Sequence, residues 1–179
     1  MIYTTVTAIC VVAWTPISVQ AETDLPQLLD KLAQANEIDA KRLDRQIKST
    51  WSKSGSASMD LLLRRGREAL EAKQTQAAIE HFTALTDHAP QFAEGWHALA
   101  RAYFAAELYG PTLHALGEAL ERNPDQYDAL FGLGVLFRNF GDLRRAEQAF
   151  LQTLDLHPHH ENAKQALEAL QREGVGRRL

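Results

Sequence analysis

Apolar residues recur along most of the chain at the three- and four-residue spacing of amphipathic helices. Trp96, Leu99 and Tyr103 fall on one face of a helix, and Leu113 and Leu116 fall on one face of the next. Ala, Leu, Glu, Gln and Arg dominate the composition, whereas β-branched residues are sparse beyond the N-terminal segment. The pattern therefore predicts an all-α protein.

Short turn signals divide these predicted helices into pairs. Gly110-Pro111 separates two of them, and Pro111 suits the first turn of a helix because proline has no N–H to leave unpaired. Gly141-Asp142 has the same role in a later pair, with Asp142 as a candidate N-cap. A proline follows each second helix, since it cannot donate to the helical ladder. The basic unit is helix, turn, helix, turn.

This unit recurs at one fixed spacing, here called the repeat period, which separates Pro90 from Pro124 and again Pro124 from Pro158. Five classes of position agree at the repeat period, which is hard to obtain by chance. They are these prolines; the small residues Gly66, Ala100 and Gly134; the large apolar residues Phe82, Leu116 and Phe150; Ala78, Thr112 and Ala146; and Leu62, Trp96 and Leu130. The small residues would let paired helices approach closely, and the large ones would fill the space between neighbouring units.

The unit resembles the tetratricopeptide repeat (TPR), whose signature is W-x2-L-G-x2-Y, then A-x3-F, then P. The second copy matches from Trp96 to Tyr103, and the third carries Ala146-x3-Phe150. The first copy departs at Arg65 and Ala69, where Leu and Tyr are usual. The resemblance implies a right-handed α-solenoid of three repeats, at residues 59–92, 93–126 and 127–160.

Amphipathic segments flank the repeats on both sides, and a solenoid needs a further element to close each end. Residues 161–179 are predicted to form a capping helix and tail, with Ala163 and Leu170 inward and Glu168 and Gln171 outward. Residues 22–58 are predicted to be a helical extension that ends in a polar linker. This extension either caps the first repeat or lies in the groove, and the need for an end piece favours capping.

The segment from Met1 to Ala21 contains no Asp, Glu, Lys or Arg. Its apolar run from Val6 to Trp14 is broken by Pro16, and Ala21 lies where a signal peptidase would cleave. We therefore expect a cleaved signal peptide at residues 1–21 and export, to a bacterial periplasm or an equivalent space. An uncleaved membrane anchor is the alternative, but the run is shorter than the ~20 residues of a spanning helix. Cys10 is the only cysteine, so the mature chain would contain no thiol.

Charge and motifs argue against several functions. The net charge of −4 and the lack of like-charge blocks indicate neither a nucleic acid nor an anionic membrane as partner. No Walker loop, nucleophile elbow or dinucleotide-binding turn is present, and Lys164 stands where an H-E-x-x-H motif from His160 would need its second histidine. We expect no catalysis and no cofactor.

His157, His159 and His160 could bind a transition metal weakly, but an exposed turn is the favoured interpretation.

The resemblance also implies a binding site, because first helices line the concave groove in this family. Carried over by register, the predicted groove residues are Leu63, Arg67, Leu70, His97, Arg101, Phe104, Phe131, Val135, Arg138 and Asn139. Some relatives grip a C-terminal carboxylate with Lys, Arg and Asn at such positions. Here Val135 takes the place of a third polar residue, so a full clamp is not expected.

Two interpretations of the groove arginines stay open. They form a basic track for a partner peptide, or they pair with Asp60, Glu94 or Glu71 on a solvated helix face. The leading function is an exported scaffold or assembly factor that docks a peptide or helix. The alternatives are a structural protein that self-associates into oligomers and an accessory recognition subunit of an envelope enzyme.

Overall fold

The computed structural model describes residues 25–176, and within that range every regular element is an α-helix. The predicted all-α fold class is therefore confirmed. The elements are α1 (Leu25–Gln34), α2 (Glu37–Trp51), α3 (Ala57–Glu71), α4 (Thr75–His88), α5 (Ala93–Ala105), α6 (Tyr109–Arg122), α7 (Tyr127–Asn139), α8 (Leu143–Leu156) and α9 (Glu161–Gly176). The predicted signal peptide, with Cys10, lies outside the described residues.

Helices α3–α4, α5–α6 and α7–α8 form the three predicted hairpins, which stack in chain order. In the first and third repeats, glycine is required where the paired helices cross. A Cβ placed on Gly66 would lie 2.3 Å from the ring of Phe82, and one on Gly134 would lie 2.4 Å from the ring of Phe150. Both phenylalanine rings are fully buried. The predicted close approach of paired helices at these small residues is confirmed, and the two rings lie between the helices of one hairpin.

Most turn signals act as predicted, but Gly110 does not separate two helices, because α6 begins at Tyr109 and Gly110 lies in its first turn, together with Pro111. Asp142 caps α8, its side chain accepting from the backbone N–H of Arg145 at 3.0 Å. Each second helix ends just before its proline, α4 at His88, α6 at Arg122 and α8 at Leu156.

Helix α9 packs against α8 as the predicted C-terminal cap. Ala163 and Leu170 are buried, and Glu168 and Gln171 are exposed. Leu170 joins Ala146 and Phe150 in one apolar cluster, so α9 covers the face that the third repeat would otherwise expose.

The N-terminal hairpin, α1 with α2, does not lie where we expected it. The expectation that it caps the first repeat is wrong, because its apolar face packs on Tyr127 and Leu156 of the third repeat. Tyr127 is fully buried under this hairpin and donates its hydroxyl to Asp44 on α2 at 2.7 Å. At the other end, Ser52 after α2 accepts from Arg67 of the first repeat. The N-terminal hairpin therefore spans the repeats on the side of the first helices.

None of the helices within residues 25–176 combines the length and the apolar character that crossing a bilayer demands.

Candidate functional site

Helices α5 and α7 border an open cleft of about 590 Å³, here called the apolar cleft. Its walls include Phe104 and Arg101 from α5 and Phe131 and Val135 from α7. Leu70 of α3 and Leu116 of α6 also contribute to its apolar lining. The cleft follows from the repeat, because equivalent faces of successive first helices lie side by side.

A second cavity of about 440 Å³, here called the polar mouth, adjoins the apolar cleft. The two share Arg101, His97, Lys48 and Asp128 in their walls. The remaining side chains around the polar mouth come from both the N-terminal hairpin and the repeats: Arg45, Ser49, Ser52, Arg67 and Glu94. The concave surface is therefore apolar on one side and densely charged on the other.

Carboxylates from the repeats underlie the polar mouth. Glu94 on α5 is only 7% exposed, yet it contacts Arg67 at 2.5 Å, His97 Nδ1 at 3.1 Å and Gln126 Nε2 at 2.5 Å. Burial alone would raise the Glu94 pKa, but the charges and hydrogen bonds of His97 and Arg67 outweigh it and hold the pKa below its usual range. Glu94 therefore carries a negative charge that its neighbours already compensate.

Asp128 repeats this arrangement one unit later. Lys48 of α2 lies 3.0 Å from one carboxylate oxygen, and His160 Nε2 lies 3.2 Å from the other. Burial would raise the Asp128 pKa, but the His160 hydrogen bond and the Lys48 charge hold it well below its usual range. Burial likewise opposes the ammonium form of Lys48, but Asp128 and Asp44 prevail and raise its pKa. This ion pair joins the N-terminal hairpin to α7.

The histidine-rich turn is not the exposed segment that we expected. His157 and His160 are 5% and 8% exposed, with ring centroids 5.1 Å and 6.2 Å from that of Tyr127. His159 Nε2 lies 2.9 Å from the carbonyl oxygen of Ala35. The turn is buried because the N-terminal hairpin packs on it. Within the described residues, no three His, Cys, Asp or Glu side chains are grouped so that they could hold a metal ion.

The structure brings together most of the predicted groove residues, but not all. His97, Arg101, Phe104, Phe131 and Val135 line the apolar cleft, and Arg67 lines the polar mouth. Arg138 instead lines a smaller cavity of about 320 Å³ with Phe131 and Val135, and Asn139 is exposed outside these cavities. Leu63 is 2% exposed and belongs to the core, so its placement in the groove is corrected: it packs among apolar side chains of neighbouring helices.

The two groove arginines Arg67 and Arg101 differ in whether they pair with a neighbouring carboxylate or stay exposed in the groove. Arg67 pairs with Glu94, as on a self-contained helix face, whereas Arg101 is exposed at the junction of the two cavities. Whether they bind a partner stays a prediction.

Sequence reasoning missed the part of the site that comes from α2, chiefly Arg45 and Lys48. No repeat signal marks these positions, since α2 lies outside the repeats. A signal did exist for the carboxylates: Asp60, Glu94 and Asp128 are all acidic and are separated by one repeat period each.

The tetratricopeptide repeat family model matches residues 63–110 and 113–161, which together make up more than half of the chain. The chain therefore belongs to the tetratricopeptide repeat family, as the sequence motifs indicated. A TPR repeat-containing protein of Rhizobium etli is 26% identical over 155 residues, covering 86% of this chain and 76% of that protein.

Solved structures share the fold. A crystal structure of MamA has a TM-score of 0.61 at 22% identity and covers 82% of this chain and 83% of that one. The first TPR of Spaghetti (RPAP3), bound to the HSP90 peptide SRMEEVD, has a TM-score of 0.62 at 19% identity, covering 65% of this chain and 93% of that one. The Sgt2 TPR domain from Aspergillus fumigatus has a TM-score of 0.62 at 22% identity and covers 66% of this chain and 80% of that one. The predicted solenoid of tetratricopeptide repeats is confirmed.

Proposed function

We propose that this chain is an exported protein-interaction module, a scaffold, adaptor or assembly factor that binds a partner peptide or helix in its concave groove. The observation that carries the proposal is the apolar cleft, whose walls Phe104, Phe131 and Val135 form an open apolar surface beside charged groups. Such a surface suits a peptide, because apolar pockets provide affinity and nearby polar groups fix orientation.

The family supports this proposal. Tetratricopeptide domains are protein-interaction modules, and the Spaghetti (RPAP3) domain that shares this fold is bound to a peptide. Recognition rather than catalysis is the role that we assign to the chain. Its partner would be a protein or peptide, with no nucleic acid and no cofactor.

Site-specific photo-crosslinking in cells tests the groove. A benzoylphenylalanine placed at Phe104 or Val135 is expected to crosslink a partner protein, because both positions line the apolar cleft. The matched control is Gln152, an exposed position on the second helix of the third repeat. Crosslinking from Gln152 alone, or equally from all three positions, would contradict groove binding.

Export is tested separately by mass spectrometry of the protein recovered from cell fractions. We expect the periplasmic fraction to contain a chain that begins at Glu22. A full-length chain retained in the membrane fraction would indicate the uncleaved anchor instead.

Self-association is the competing function, and exposed apolar side chains favour it. Phe140 is 63% exposed and Leu113 is 46% exposed. Light scattering of the mature chain separates the two functions, since a monomer at micromolar concentration supports the interaction module and a concentration-dependent oligomer supports self-association.

A further inference from the structure

Two arginines line the polar mouth from different elements. Arg45 on α2 and Arg101 on α5 are both exposed, and neither forms a hydrogen bond or ion pair with any side chain among residues 25–172. They come from different parts of the chain, one from the N-terminal hairpin and one from the second repeat. The packing of the hairpin brings both into the wall of the same cavity.

The other charges of the polar mouth are already compensated. Arg67 pairs with Glu94, and Lys48 pairs with Asp128. The two remaining guanidinium groups therefore leave a local excess of positive charge, although the whole chain has a net charge of −4. A cavity with unpaired cations beside low-dielectric walls attracts an anionic group.

Arg101 also lines the apolar cleft, so the positive charge and the apolar surface are adjacent. We propose that the polar mouth binds an acidic side chain of a partner peptide, with Arg45 and Arg101 as its ligands, while a nearby apolar side chain of the same peptide enters the apolar cleft. This inference rests on the proposed function and defines the peptide class it requires. It makes the N-terminal hairpin part of the binding site.

The residues that line the two cavities favour a side-chain carboxylate over the C-terminal carboxylate of a peptide as the ligand. The register position that follows Arg67 and Arg101 is Val135, so the third repeat adds an apolar wall instead of another donor. A guanidinium group can engage one carboxylate with two parallel hydrogen bonds, which gives it both affinity and orientation. Two arginines suffice for one Asp or Glu.

A library of random short peptides displayed on phage tests the inference with the full chain as target. We expect enriched peptides to carry Asp or Glu within a few positions of Leu, Ile, Phe or Met. Enriched sequences are then synthesised with an amidated C-terminus and a fluorescein label, and their affinity is measured by fluorescence anisotropy. Amidation removes the terminal carboxylate, so any remaining dependence on acid comes from side chains.

Charge reversal identifies the ligands. The double variant Arg45→Glu with Arg101→Glu is expected to bind the acidic peptides at least tenfold more weakly and to select Lys- or Arg-containing peptides from the same library. The matched control is Arg144→Glu, an exposed arginine on α8 outside the polar mouth, which is expected to change neither result. Thermal melting monitored by circular dichroism verifies that both variants are folded.

Four outcomes would overturn the inference. Enriched peptides that are apolar without an acidic residue would remove the acidic requirement and leave the proposed peptide groove intact. Acidic peptides that the double variant binds as tightly as the wild type, or peptides that bind only with a free C-terminus, would remove the assignment to Arg45 and Arg101. A library that yields no enriched peptide would overturn both the inference and the proposed function.

Discussion

At the scale of single residues, the repeat depends on contacts that leave no room for a Cβ. Gly66 and Gly134 meet the rings of Phe82 and Phe150 in equivalent places of the first and third repeats. Because an exposed glycine within a helix costs up to about 1 kcal/mol relative to alanine, the use of glycine here must reflect packing. The same substitution should therefore have opposite signs at different glycines.

We predict that Gly66→Ala lowers the free energy of unfolding by about 1–3 kcal/mol, because the new methyl group would lie 2.3 Å from the Phe82 ring. Gly117→Ala on α6 is the matched control, since within residues 25–176 a Cβ there would have no atom of another element within 4 Å. It should raise the free energy of unfolding by up to about 1 kcal/mol. Urea denaturation measures both. Equal and stabilising effects at the two sites would show that the close approach of Gly66 to Phe82 is absent.

The turn between the two helices of each repeat has the same backbone conformation in all three copies. Lys73, Glu107 and Gly141 occupy equivalent positions of the three repeats, and all three have positive φ, at 59°, 60° and 75°. Only the third repeat has a glycine at this position, and glycine adopts positive φ without strain. The three repeats thus share the geometry of the turn more strictly than its residue type.

At the scale of elements, the interface between the N-terminal hairpin and the third repeat contains a buried histidine. His157 lies 3.7 Å from Asp44, and Lys48, Asp128, His160 and Tyr127 also face this cluster. Burial lowers the His157 pKa to about 4, outweighing the opposing charge of Asp44. The neutral imidazole is therefore the form that the folded interface accommodates.

This shift predicts a loss of stability in mild acid. As the pH falls below the ordinary His157 pKa of 6.5, the unfolded chain binds a proton that the folded chain does not bind until about pH 4. The low pKa of Asp128 acts in a different range, since its contribution is lost only as the pH falls below the ordinary value of 3.8. We expect the melting temperature to fall by about 3–6 °C between pH 7 and pH 5 from this one group.

The control is His157→Gln, which keeps a polar side chain of similar length but does not titrate. Its melting temperature should depend less on pH over the same range. If the melting temperatures of the wild type and His157→Gln fall by the same amount between pH 7 and pH 5, another group is responsible for the pH dependence.

The element scale also explains which parts of the structure could be predicted. The repeats were predictable because each hairpin makes the same local contacts, so Phe82 and Phe150 recur with the glycines they cover. The position of the N-terminal hairpin depends on pairs such as Tyr127 with Asp44, which lie far apart in the sequence and occur once. A single long-range contact leaves no periodic trace, and so the α2 half of the polar mouth was missed.

At the scale of the whole molecule, the N-terminal hairpin changes how the solenoid is held together. Stacked repeats ordinarily contact only their neighbours, so their stability is a sum over adjacent pairs. Here Ser52 binds Arg67 of the first repeat, while Lys48 and Asp44 bind Asp128 and Tyr127 of the third. The hairpin thereby connects two repeats that are not adjacent.

Detaching the hairpin should therefore accelerate hydrogen exchange in the third repeat more than in α4, the second helix of the first repeat. Ile47 on α2 is fully buried, so Ile47→Asp places an unpaired carboxylate in this interface and should undock α1 and α2. Hydrogen exchange measured by mass spectrometry should then accelerate in α7 and α8, which lose the cover over Tyr127, and change little in α4. Ile38→Asp is the matched control, because Ile38 on the same helix is 84% exposed and should leave exchange unaltered. Uniform acceleration along the whole chain would mean that the hairpin supports global folding, whereas unchanged exchange in α7 would mean that the third repeat does not depend on it.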